Sequence, residues 1–125
     1  MTAGFPDVRP RRLRGTRALR AMVAETSLRP AELVLPVFIK EGIAEPVPIS
    51  SMPGVVQHTR ESLRKAAAEA VEACVGGIIV FGVPAVKDGR GSAADDPAGI
   101  SQVAISDIRT EVGDDLVVMA DLCLC

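Results

Sequence analysis

The chain contains no tryptophan, no tyrosine, three phenylalanines and a single histidine in 125 residues. These scarcities exclude several chemistries. With no aromatics among its arginines, the basic start lacks the stacking surfaces by which proteins hold single-stranded nucleic acid. One histidine, His58, cannot supply a histidine-based zinc triad. No apolar run approaches the roughly 20 residues that span a bilayer, and Met1-Thr2-Ala3-Gly4-Phe5-Pro6 lacks a signal-peptide core. Asp7 and the scarcity of serine argue against an organelle transit peptide. The chain is therefore expected to be cytoplasmic, with neither nucleic acid nor membrane as partner. Its three cysteines are read as reduced thiols or metal ligands, not a disulfide framework.

What is present is aliphatic. The chain is 48% hydrophobic, mainly Ala, Val, Leu and Ile, with mean hydropathy +0.29, a composition suited to buried parallel strands under helices. The net charge of -2 conceals an asymmetry: half of the basic residues lie between Arg9 and Arg29, and acids accumulate later. Pro6, Pro10 and Gly15 among these arginines predict an extended arm, followed by a short helix from Thr16 to about Thr26. Residues 1–30 are taken as this arm, which fits docking on a neighbouring subunit.

Residues 31–125 read as βαβαβ. Leu33–Ile39 is a short apolar run whose length predicts a fully buried strand, although Pro36 cannot donate to a ladder and predicts a strand that begins after it or has an irregular partner there. Lys40 to His58, with Pro46, Pro48, Pro53 and Gly54, is a loop longer than usual, of the kind that borders active sites at strand ends. Thr59 caps a helix whose apolar stripe runs through Ala66, Ala67, Ala70, Val71 and Cys74, and Gly76-Gly77 ends it; Cys74 is expected to be a small core hydrophobe. Ile78–Phe81 is the second strand. Pro97 opens a helix with Ile100, Val103, Ala104, Ile105 and Ile108 on its apolar side, and Leu116–Ala120 is the third strand. Lys40-Glu41-Gly42 after the first strand carries no dinucleotide fingerprint, which favours the opening portion of a (β/α)8 barrel over a doubly wound sheet.

Candidate chemistry collects at the third strand end. Cys123 and Cys125, two residues apart, face one side of an extended backbone and suit Zn(II). A catalytic zinc needs a third protein ligand and an open position, so C-x-C alone is a weak signal that leaves buried or frayed thiols as the commoner reading. Asp121 can handle protons, hold a substrate amine, or hydrogen-bond the terminal loop. His58 is expected to be exposed. Lys40 and Lys87 follow strands, where burial would make them amine nucleophiles, but solvated lysines are commoner there. Gly89-Arg90-Gly91 lacks the Gly-Lys-Ser/Thr of a P-loop and is expected to be a mobile loop.

In order, Arg9-Pro10-Arg11-Arg12-Leu13-Arg14, Leu33 to Gly42, Ser51-Met52-Pro53-Gly54, Phe81-Gly82-Val83-Pro84 with Lys87-Asp88, and Asp121 to Cys125 resemble the porphobilinogen synthase family, also called delta-aminolevulinic acid dehydratase. The resemblance implies α/β architecture: the first three strands of a (β/α)8 barrel preceded by an extended arm that embraces a neighbour, usually in a homo-octamer. It implies condensation of two 5-aminolevulinate molecules, with loss of water, to porphobilinogen, the tetrapyrrole and haem precursor. Cys123 and Cys125 match the first two of three zinc cysteines, and Asp121 matches the acidic residue beside the pocket. The resemblance also admits magnesium as a further metal of the full enzyme. The two Schiff-base lysines lie further along in the family, and Lys40, Lys65 and Lys87 do not match them. The expectation is thus an incomplete, inactive and poorly soluble piece of an enzyme. Its rival is a small stand-alone zinc-handling or thiol protein.

Overall fold

The computed structural model describes Gly4 and residues 11–122. A 3-10 turn at Arg11–Arg14 leads into helix α1, Arg17–Met22, which is four residues shorter than expected at its end. Thr16 caps it by accepting the Leu19 N–H at 3.1 Å. Nothing from Arg11 to Pro36 is buried, and Leu13, Met22 and Leu28 stand exposed.

The sheet contains β1 (Val34–Lys40), β2 (Val47–Pro48), β3 (Val56–His58), β4 (Gly77–Val83) and β5 (Val117–Ala120), in the order β2-β3-β1-β4-β5. The three expected strands, β1, β4 and β5, pair in parallel. The long loop contributes two short strands that were not expected: β2 runs antiparallel to β3, and β3 pairs in parallel with β1. Gly54, at φ +84°, makes the turn between them. Pro36 sits inside β1, level with Ile79. Leu33 O accepts from Gly77 and Glu41 N–H donates to Val83, so odd-numbered residues face β4. The Pro36 nitrogen therefore faces the other edge, where β3 pairs only at Phe38 and Ile39, and its missing N–H breaks no ladder bond among the described residues.

Helices α2 (Arg60–Glu72) and α3 (Ile100–Val112) cover one face. Val37 and Ile39 of β1 and Ile78 and Val80 of β4 meet Leu63 and Ala67 of α2 and Ala104 and Ile108 of α3 in one core. Each large side chain fully buried there contributes about 1.5–3 kcal/mol of transfer free energy. Thr59 caps α2 as expected: its hydroxyl accepts from Ser62 N–H at 3.2 Å, and its own N–H donates to Ser62 Oγ at 3.0 Å. Gly82 admits α3, since a Cβ there would meet Ser101 Oγ and approach Ile100 Cγ2 to 3.2 Å.

Cys74 is exposed, not a core residue, because α2 stops short of it. Val75 N–H bonds Ala70 O and Cys74 N–H bonds Val71 O, both at 2.9 Å. That is the Schellman ending, which needs a left-handed residue, and Cys74 supplies it at φ +58°. Gly76-Gly77 follows the helix stop without causing it. Cys74→Gly is expected to raise stability by about 1 kcal/mol, read as a higher urea midpoint; an unchanged or lower midpoint would contradict the strain.

Candidate active-site rim at the strand ends

The parallel strands deliver their carboxyl ends to one rim. Glu41, just past β1, turns its carboxylate to accept the Ala85 N–H at 2.9 Å, tying the loop after β1 to the loop after β4. Asp121 follows β5 directly, and its N–H donates to Val80 O at 3.0 Å, continuing the ladder one residue beyond Val80↔Ala120. Asp121 is half-buried and level with Phe81. Phe81 stacks on Phe38 with ring centroids 5.1 Å apart. Side chains alternate along a strand, so Phe38, Phe81 and Asp121 lie on the face opposite α2 and α3. That face also carries Lys40, level with Val83, and Ile79, level with Met119.

Outside the sheet, a cleft of about 420 Å³ opens among Lys40 to Ala44, the start of α2 and the start of α3. A smaller cavity of about 60 Å³ lies under Pro84, Lys87 and Asp88. The Gly89-Arg90-Gly91 segment wraps around Asp88, whose carboxylate accepts the N–H groups of Arg90 (3.1 Å) and Ser92 (3.0 Å) and the Ser92 hydroxyl. Those bonds, the Ser92 hydroxyl foremost, hold the Asp88 carboxyl below its ordinary range. The amides of Arg90 and Ser92 are thus committed to the Asp88 carboxylate, which folds the segment into a turn.

His58 is half-buried in β3, not exposed, with Nδ1 3.1 Å from Ser62 Oγ. Burial pushes its pKa below 6.5, partly offset by Glu69, so the ring is neutral at neutral pH. Between α2 and α3, Asp107 takes a bidentate pair from Arg60, Nε to Oδ2 at 2.6 Å and Nη2 to Oδ1 at 2.9 Å, with Arg64 at 3.6 Å. The Arg60 hydrogen bonds hold the Asp107 carboxyl below its ordinary range.

Of the expected site residues, the fold brings Asp121 to the rim. Lys40 reaches the same rim from β1. Cys123 and Cys125 lie outside the described residues. Among the described residues, no three His, Cys, Asp or Glu side chains converge on a metal position, and no helix is long and apolar enough to cross a membrane.

A parallel α/β sheet with helices on one face and its polar groups at the carboxyl ends is the architecture of part of a (β/α)8 enzyme barrel. The comparisons specify which. A family model described as delta-aminolevulinic acid dehydratase matches residues 7–125, and the chain belongs to that family. The Streptomyces coelicolor delta-aminolevulinic acid dehydratase is 64% identical over 122 residues, 96% of this chain and 37% of the relative. A Mycobacterium tuberculosis counterpart is 59% identical over 98% of this chain and 38% of its own length. The crystal structure of the Toxoplasma gondii enzyme, in complex with its reaction product porphobilinogen, superposes with a TM-score of 0.84 at 31% identity, covering 94% of this chain and 33% of that one. The chain thus spans little more than a third of the length of these relatives.

Proposed function

We propose that the chain forms the first part of a cytoplasmic porphobilinogen synthase that condenses two 5-aminolevulinate molecules, with loss of water, to porphobilinogen. The observation that carries this reading is the family match over residues 7–125. Asp121 forms part of the pocket wall, and its place at the rim beside Phe81 supports that role. Cys123 and Cys125 contribute two thiolates to a zinc site. Thiolate donors suit zinc in kind but fall one short of the three protein ligands a catalytic zinc takes. When bound, the metal would act as a Lewis acid toward substrate. No described cluster supports a place for magnesium. Residues 1–30 serve as an arm that docks on a second copy within a homo-oligomer, an octamer by family analogy. The exposed Leu13, Met22 and Leu28 on this basic segment support that docking.

The chain alone is expected to form no porphobilinogen in a colour assay with 5-aminolevulinate, because Lys40, Lys65 and Lys87 match neither Schiff-base lysine. Turnover by the chain alone would overturn that assignment. Joined to the remaining portion of the Streptomyces coelicolor relative, it is expected to be active. An inactive, folded chimera would sink the functional reading. Zinc binding by the isolated chain is expected to be weak and lost on changing Cys123 and Cys125 to serine; an unaffected affinity would remove the metal assignment.

A further inference from the structure

Strand β3 occupies the edge of β1 opposite β4. A closed barrel needs that edge for its last strand. Because β3 pairs with β1 at Phe38 and Ile39, the last strand can meet β1 only over Val34–Val37, and β3 becomes the wall of the barrel beside β1 at its mouth. Residues paired in register share a face. His58, level with Ile39, is turned toward α2, as its contact with Ser62 shows. Gln57, level with Phe38, is therefore on the opposite face, inside the barrel.

Gln57 is a half-buried residue whose amide makes no side-chain hydrogen bond among the described residues. Its amide atoms are not among those sealed from solvent without a partner, so beside two stacked rings its N–H2 stays open to a ligand. The row Gln57, Phe38, Phe81, Asp121 runs across four strands, on the order of 14 Å, and it is polarised. Gln57 and Lys40, which shares the face of Phe38 two residues on, offer donors at one end. Asp121 offers a carboxylate at the other.

We propose that Gln57 is a substrate-binding residue of the reaction chamber, its side-chain N–H2 donating to the carboxylate of a 5-aminolevulinate molecule lying over the Phe38–Phe81 pair. This rests on the synthase reading above. The charge pattern sets the direction: the substrate ammonium is drawn toward Asp121, which leaves the carboxylate at the Gln57 end.

The test uses the chimera with the Streptomyces coelicolor remainder. Gln57→Ala is expected to raise KM for 5-aminolevulinate about tenfold, the effect of losing one hydrogen bond to a charged group, with kcat within about twofold. Gln57→Glu preserves size but repels the carboxylate, and its KM is expected to rise further, at an unchanged melting temperature. Unchanged KM in both variants, or a fall in kcat with KM unchanged, overturns the proposal while leaving the synthase reading intact. If the unsubstituted chimera is inactive, the reading fails and takes this inference with it.

Discussion

Gly76→Ala is expected to lower the urea midpoint of the chain by about 1.5 M, a loss of about 3 kcal/mol at a slope of ~2 kcal/mol per M. Gly76 joins the end of α2 to β4 beneath the turn that holds Ala31. A Cβ there would fall inside the Ala31 carbonyl oxygen and lie 2.8 Å from its carbon. Backbone cannot rotate aside as a flexible side chain can. The flanking residues leave no slack either, because Val75 packs against the core and Gly77 N–H bonds Leu33 O at 3.2 Å. Gly89→Ala is the matched control. A Cβ at Gly89 meets nothing within 4 Å, so a near-zero effect is expected. Equal midpoints for the two variants would refute the close approach.

Asp107→Asn is expected to cost about 2 kcal/mol at pH 7, the scale of hydrogen bonds to a charged group. Arg60 is more than half exposed, so solvent screening keeps the cost below that of a buried pair. The sign of its pH dependence follows from the lowered pKa of Asp107. A carboxyl that is more acidic in the fold than in the unfolded chain stabilises the fold above the unfolded value, near 3.8. That contribution is lost as pH falls through the folded value. The gap between wild type and Asp107→Asn should therefore be full at neutral pH and close only below about pH 3.8. A gap that stayed constant down to pH 2 would mean that the Arg60 pair is not its source.

The elements that sequence periodicity exposed are those that build the core. The helical stripe through Ala67 and Ala70 and the continuous run at Ile78 report burial directly, whereas the run at Leu33 does so only from Val37 on, because Leu33, Val34 and Leu35 stand exposed. Strands β2 and β3, with two and three residues, are too short to alternate, and Pro48 disguises the first. Cys74 was misplaced for a different reason. Helical spacing put it on the apolar stripe, but the helix stop is a backbone event, and nothing in a cysteine announces a left-handed conformation. Asp121 was legible because a strand end can be read from local sequence. Gln57 was not, since its face is fixed by pairing with Phe38 across the sheet.

The half-exposed inner face and the unpacked segment before β1 also have a calorimetric consequence. A self-contained fold of 13.1 kDa exposes about 6,400 Å², whereas this chain exposes 9324 Å². The surplus, about 2,900 Å² by that scaling, is surface already in contact with water before unfolding begins. Its hydration does not change when the chain unfolds. The heat-capacity increment therefore falls below the usual ~12–15 cal/mol/K per residue. The dependence of stability on temperature is correspondingly flat, with less curvature toward cold denaturation than a closed domain of the same length.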